Sequence, residues 1–242
     1  MILAYHRVNP WYSRDALSVS PEKFQRQVKF LLTGGWQPLP PGLLLEEIRS
    51  GPEKLKGKRW FLITFDDGYA DNFWFAWPIL REFNVPPIVF VNAGYISSHY
   101  LLPRYHDSVR DRFLTWSEIE EMSQKGVIFG SHGLTHRRLT TLSPEEARRE
   151  ISDSRRLLQE KVGQSVEFFC YPYGDYNETV VSLVRQAGYL AGMVTSRRMP
   201  PVSPYSLPRT GVYGQTGQIA FLAKLGMGTW RERRFFGLWQ SV

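Results

Sequence analysis

The chain has a single cysteine, Cys170, in 242 residues. An internal disulfide is excluded, and nothing in the fold depends on an oxidising compartment. No apolar run approaches the roughly 18 residues that cross a bilayer. Met1-Ile2-Leu3-Ala4 runs straight into Tyr5-His6-Arg7, without the basic start and apolar stretch of a signal peptide. The chain as given is therefore expected in the cytoplasm. Repeats, low-complexity tracts and linkers are also missing, so residues 1–242 are expected to form one domain. No nucleic-acid-binding motif accompanies the formal charge of +7, so a DNA or RNA partner is not expected. Arginine doublets at 148–149, 155–156, 197–198 and 233–234 carry much of that charge. They read as solvated helix faces, or as attraction to a polyanion or an anionic membrane surface.

What is present is globular: 43% hydrophobic and 14% aromatic residues. Short apolar runs alternate with helical periodicity from end to end. Strands are expected at Ile2 to His6, Trp36 to Leu39, Phe61 to Phe65, Pro87 to Val91, Val127 to Gly130, Val166 to Cys170, Leu190 to Thr195 and Leu207 to Val212. Helices are expected to start at Ser20-Pro21, Leu43, Asn72, Thr115, Ser143 and within Asp175 to Glu178, with Pro78 interrupting the one that starts at Asn72. Residues 94–114 lack periodicity and read as a long loop of the kind that borders sites. Such alternation implies a parallel sheet with outer helices, either a closed barrel or an open doubly wound sheet.

In these folds the reactive groups collect where strands end. Phe61-Leu62-Ile63-Thr64-Phe65 is a buried strand that stops at Asp66-Asp67-Gly68. Alternation should send the two carboxylates in different directions. Other strands end at His6, at Ser131-His132 and at Tyr171-Pro172-Tyr173-Gly174. His132 and His136 are four apart, and one helical turn would place both imidazoles on one face. With Asp67 they form a two-histidine, one-carboxylate set that leaves metal positions open for water and substrate. Asp66 is then free to act as a base. Isolated surface histidines and a solvated strand end are the alternatives for each fragment alone.

Thr64-Phe65-Asp66-Asp67-Gly68, Ser131-His132-Gly133-Leu134-Thr135-His136 and Phe169-Cys170-Tyr171-Pro172-Tyr173-Gly174 resemble the first three motifs of the polysaccharide deacetylases, the NodB-homology or carbohydrate esterase family 4 proteins. The resemblance implies an α/β fold, a distorted (β/α)7-type barrel. It also implies a hydrolase that removes N-acetyl groups from an N-acetylated glycan or sugar precursor with a divalent metal. Zinc is the usual ion, and cobalt, nickel or manganese would suit the same ligands. Carried over, Asp67, His132 and His136 bind the metal, Asp66 is the general base, and the backbone N–H of Tyr173 helps hold the oxyanion.

Three departures stand out. Gly133 replaces the usual Ser or Thr after the first histidine. The third motif lacks its arginine. The late Leu-x-His motif is absent, and no histidine follows His136. Tyr5-His6 resembles the permuted branch that deacetylates poly-N-acetylglucosamine, where an N-terminal histidine is the acid. His6 is thus the candidate acid and Arg209 the candidate for the missing arginine. Trp116, Tyr171 and Tyr173 could stack on sugars or pack in the core, and Pro172 would line the same wall. His99 and His106 read as surface residues of the long loop. The Trp230 to Trp239 stretch mixes arginine with large aromatics. It reads as a docked final helix or a tail, with peripheral membrane contact as the alternative. A catalytically silent glycan-binding protein of this fold, and an amidohydrolase acting on a non-sugar amide, are the competing readings.

Overall fold

The structure is a computed structural model. It describes residues 1–12, 14–51, 54–55, 57–101, 106–195 and 203–226. The Trp230 to Trp239 stretch lies outside the described residues, and so does the membrane contact considered for it.

Six parallel strands pair in sequence around a ring: β1 (Ile2–Tyr5), β2 (Trp60–Phe65), β3 (Ile88–Val91), β4 (Ile128–Ser131), β5 (Phe168–Cys170) and β6 (Ala191–Val194). The seventh stave, β7, is broken. Leu207–Pro208 pairs with β6 and Thr210–Gly211 pairs with β1. The expected strand from Leu207 to Val212 is therefore two short pieces with Arg209 between them. Arg209 donates its backbone N–H to the Val194 carbonyl at 2.8 Å, and Val212 donates to the Ala4 carbonyl at 2.8 Å. The chain thus crosses from one edge of the sheet to the other within a few residues, and the barrel closes there.

The ring is distorted at β2. Its early residues Trp60 and Phe61 pair with Gln37 and Pro38, while Thr64 and Phe65 pair with Ile88 and Val89 of β3. The strand expected at Trp36 to Leu39 survives only as this two-residue edge.

Outside the ring lie α1 (Pro21–Thr33), α2 (Pro41–Ser50), α3 (Trp77–Glu82), α4 (Trp116–Gln124), α5 (Pro144–Val162) and α6 (Glu178–Gln186). Thr115 with Glu118, and Ser143 with Glu146, form capping boxes that satisfy the free N–H groups of α4 and α5. One local expectation changes. Pro78 does not interrupt its helix, because a π-helical turn over Asn72–Ala76 runs into α3 and leaves Pro78 in the first turn, where its missing N–H costs nothing. The cap of α6 falls within the expected Asp175 to Glu178 stretch, at Asn177. Asp175 accepts from Arg138 at 2.8 Å and from Thr140 at 2.6 Å.

Side-chain alternation divides the core in two. Phe61, Ile63, Phe65, Val89, Phe129, Phe169 and Val194 face the helices and meet Phe24, Val28, Leu80, Ile119, Ile151, Leu158 and Val184. Ile2, Leu62, Ile88, Phe90, Phe168, Ala191, Met193 and Leu207 fill the lumen. The barrel is packed, and only its top is left for polar groups. Packing inside is tight at Gly130, where an added Cβ would lie 2.6 Å from the Phe90 ring. Gly130→Ala should destabilise the fold by about 1–3 kcal/mol through overpacking, read as a lower urea midpoint at unchanged slope.

Candidate active site

Asp66 is in phase with Leu62 and Thr64, so its carboxylate turns into the lumen. Arg209 is in phase with Leu207, and Cys170 with Phe168. The three therefore meet at the top of the inner core. Arg209 donates from Nη1 to Asp66 Oδ1 and from Nη2 to Asp66 Oδ2, both at 2.7 Å. Its Nη1 also donates to Thr64 Oγ1 at 3.0 Å, and its Nη2 lies 3.0 Å from Cys170 Sγ. Both members of the pair are buried, Arg209 at 3% and Asp66 at 4% exposure. Burial alone would raise the Asp66 carboxyl. The Arg209 guanidinium overrides it and holds the group well below the usual carboxylate range. Asp66 is thus a permanent carboxylate, oriented from beneath by a bidentate partner.

Asp67 leaves the strand in the left-handed region, with φ of 71°. That reversal swings its carboxylate away from Asp66 and toward the two imidazoles. Asp67 Oδ1 is 3.3 Å from His136 Nε2 and 3.7 Å from His132 Nε2. Gly68 completes the turn with φ of 78°, and a Cβ there would sit 2.7 Å from Val91. The Asn92 side-chain amide donates to the Asp67 carbonyl at 3.2 Å and fixes the turn from outside.

The two histidines do not share a helical turn. Residues 132–138 form a loop, with φ of 85° at Gly133 and 57° at His136. The imidazoles meet through those reversals, 4.9 Å apart between ring centroids. This accounts for Gly133, which sits where a side chain would be strained and would place a Cβ 3.3 Å from Glu150 Oε2. Glu150 accepts from the N–H groups of Leu134 at 2.9 Å and Thr135 at 2.8 Å, and from the Thr135 hydroxyl. Sequence reasoning missed Glu150. Its signal was a carboxylate at helical spacing within the apolar stripe Ala147, Ile151 and Leu158 of α5.

His132 Nδ1 lies 2.8 Å from the Cys170 carbonyl. A carbonyl only accepts, so Nδ1 carries a proton and Nε2 is the nitrogen that faces Asp67. Burial, then the neighbouring His132, push His136 down to about 4, so it is neutral at neutral pH. Asp67 Oδ1 is buried and accepts no hydrogen bond from any described residue. The ligand atoms of Asp67, His132 and His136 all lie within 4.8 Å of one another. Three converging ligand atoms, one an orphaned carboxylate oxygen, are a donor set suited to a divalent cation. Asp66, His132 and Cys170 are equally close, but they do not suit one. Asp66 already has its cation in Arg209, His132 Nδ1 is spent on a carbonyl, and burial pushes the Cys170 thiol well up, keeping it protonated.

His6 follows β1, and its Nε2 is 4.0 Å from Asp66 Oδ2. Tyr173 is 58% exposed with φ of 62°, and its ring lies 4.6 Å from His136 beneath the Arg138 guanidinium. Pro172 is buried and opens the short turn that carries Tyr173. Tyr171 points outward into the helix layer, stacked on Tyr176 and donating to the Tyr205 carbonyl at 2.8 Å. Trp116 opens α4, with its N–H donated to Ser97 and the Lys161 ammonium 6.0 Å from its ring. His99 and His106 are exposed. Beside His6, Arg7 is fully buried and donates at 2.7 Å to Asp71 and to Asp111. That pairing ties the long loop to the end of β1 and was also missed, since nothing in the sequence relates residues so far apart.

The strand ends of this (β/α) barrel converge on an ionised aspartate and an aspartate–histidine group, at the face where barrels of this kind carry their active sites. The sequence matches the polysaccharide deacetylase family over residues 53–192, and the chain belongs to that family. YxkH of Bacillus subtilis, named as a polysaccharide deacetylase, is 32% identical over 197 residues, covering 80% of this chain and 63% of its own. The poly-β-1,6-N-acetyl-D-glucosamine N-deacetylase of Escherichia coli K12 is 24% identical over 207 residues, covering 72% of this chain and 30% of its own. The chain thus spans less than two thirds of the length of either relative. Among solved structures, the Streptococcus pyogenes deacetylase PplD in complex with acetate superposes with a TM-score of 0.78 at 25% identity. That match covers 93% of this chain and 96% of the other.

Two outcomes are expected. Glu150→Ala should release the 132–136 loop and cost about 1–3 kcal/mol in urea unfolding. In metal-free protein, folding stability should fall as pH drops from about 6.5 toward 4. The unfolded imidazole takes up a proton near 6.5, whereas folded His136 resists it down to about 4. His136→Gln should flatten that part of the profile, read as urea midpoints at pH 7 and pH 4.5.

Proposed function

We propose that the protein is a metal-dependent hydrolase that removes N-acetyl groups from an N-acetylated sugar or polysaccharide. The observation that carries this is the orphaned Asp67 carboxylate facing the imidazoles of His132 and His136, next to a second carboxylate held ionised by Arg209. The family assignment and the name of the Escherichia coli relative point to the same chemistry.

A divalent cation held by Asp67, His132 and His136 would polarise the acetyl carbonyl and lower the pKa of water from 15.7 toward roughly 7. Zinc is the first choice for this ligand set, and cobalt, nickel or manganese would fit it. Asp66 accepts the proton of the attacking water. Its strong pairing with Arg209 makes it a weak base in isolation, so the acidity gained by the water is what allows the transfer. Arg209 also fixes which Asp66 lone pair faces the reaction. The backbone N–H of Tyr173 supports the oxygen that gains charge as the tetrahedral centre forms. His6, close to Asp66, hands a proton to the departing nitrogen as the carbon–nitrogen bond breaks. The balance is one amide and one water giving acetate and a free amine. The exposed Tyr173 ring offers a sugar a stacking face beside the reacting group.

Acetate release from N-acetylglucosamine oligomers tests the proposal. Wild-type protein should release acetate, dipicolinate should stop it, and zinc should restore it. Asp66→Asn should lower kcat by about 10²–10⁴-fold. Equal rates for Asp66→Asn and wild type would overturn the assignment of Asp66 and with it the mechanism.

A further inference from the structure

Gly211 in β7 is not in the left-handed region, so no turn requires a glycine there. What requires it is a close approach. A Cβ at Gly211 would lie 2.6 Å from Tyr213 Oη and 2.8 Å from Tyr213 Cζ. The Tyr213 side chain therefore folds back along the strand and lies on the backbone of Gly211.

Strand register explains what Tyr213 meets. Ala4 of β1 pairs with Gly211 of β7. Two residues further along parallel strands, His6 and Tyr213 come side by side. Their ring centroids are 6.3 Å apart with planes at 29°.

The mount under Tyr213 is rigid. Its N–H donates to Thr216 Oγ1 at 3.0 Å, and its carbonyl accepts from the Thr216 N–H at 2.9 Å. The next residue, Gly214, donates to the Ala16 carbonyl at 2.8 Å and accepts from the Lys23 ammonium. A Cβ on Gly214 would meet the carbonyls of Asp15 and Ser18 at 2.5 Å, so this turn is pressed against the 15–18 loop. The Lys224 ammonium stands 5.6 Å from the Tyr213 ring centroid.

His6 lacks a comparable polar support. Its Nδ1 is buried and has no hydrogen-bond partner among the described residues. An acid whose second nitrogen is not hydrogen-bonded takes its orientation from packing. We infer that Tyr213 is the positioning residue for His6: its ring sets the imidazole plane so that Nε2 faces the nitrogen that leaves. This rests on His6 being the proton donor in the proposed reaction. The contribution is the ring's, not the hydroxyl's.

Two substrates separate this role from a structural one. An N-acetylglucosamine oligomer expels an amine that must be protonated. p-Nitrophenyl acetate expels a stabilised phenolate that needs no proton. Tyr213→Ala should lower kcat on the oligomer by about 10-fold or more. It should leave KM for the oligomer and turnover of the ester within about twofold. Tyr213→Phe keeps the ring and should behave as wild type. His6→Ala should show the same amide-selective loss, and Tyr213→Ala in that background should add little to it. Where Tyr213→Ala does not fold, Tyr213→Leu reads the same ratio of amide to ester rates. Equal losses on both substrates in the Tyr213 variants, or a Tyr213→Phe loss as large as that of Tyr213→Ala, would overturn the inference. Equal losses on both substrates in His6→Ala would instead overturn the assignment of His6 itself.

Discussion

The structure depends on one buried ion pair at the top of the barrel. Asp66 and Asp67 are adjacent carboxylates at the end of one strand, and side by side they would repel. Strand alternation sends Asp66 into the lumen, and the positive φ of Asp67 sends the other way a carboxylate that would otherwise follow a regular pleat. Each then needs its own cationic partner. Asp66 has Arg209, in two hydrogen bonds of 2.7 Å. An unpaired charge at this depth would cost several kcal/mol, so neither member of the pair is stable there without the other. The Asp67 carboxylate has no such partner among the described side chains. Two facing imidazole nitrogens and an orphaned oxygen leave it suited to an ion.

The site is also where the backbone is least relaxed. Asp67, His136 and Tyr173 all lie at positive φ without being glycine, at a cost on the order of 1–2 kcal/mol each. Local hydrogen bonds hold two of these reversals. The Asn92 side chain grips the Asp67 carbonyl, and buried Glu150 takes two N–H groups of the loop that carries His136. Gly68, Gly133 and Gly174 take the neighbouring reversed positions at no steric cost. Three of the five non-glycine residues at positive φ among the described residues sit at this site, the others being Asn84 and Ser97.

How much of this the sequence discloses depends on distance along the chain. Asp66-Asp67-Gly68 and His132 with His136 are legible, because the residues that act together are neighbours in the chain. The order of strands and helices is legible for the same reason, through periodicity and capping residues. The helical turn expected to join the two histidines was not there. Spacing of four says only that two side chains can be near, and a Gly-containing loop achieves that by another route. Glu150 was hidden because a lone carboxylate within an amphipathic helix looks like any surface charge until its phase with Ala147 and Ile151 is noticed. Arg209 could be suspected but not placed. Its partner is far away in sequence, and only the in-phase positions of Leu207 and Leu62 in one lumen bring them together. The pairing of His6 with Tyr213 was beyond reach, since it follows from the register between the first and last strands.

That register connects the fold to the chemistry. β7 is a poor strand by itself: two residues, an arginine, and two more, with Pro208 unable to donate to a ladder. It nonetheless closes the barrel, bonding to β6 before Arg209 and to β1 after it. A regular strand would have kept one neighbour on each side along its whole length. The break lets the chain change partners at the residue whose side chain reaches Asp66. Closure of the barrel and orientation of the carboxylate are therefore one structural event. A molecule whose last strand has not docked lacks the cation under Asp66, and it also lacks Tyr213 beside His6. Such a molecule would keep its Asp67, His132 and His136 group, which β2, β4 and the loop after β4 supply, but not the geometry of its proton-transfer groups. The residues proposed to hold a metal thus do not depend on barrel closure, whereas Asp66 and His6, proposed to move protons, are each set by a residue of the last strand or just beyond it, Arg209 and Tyr213.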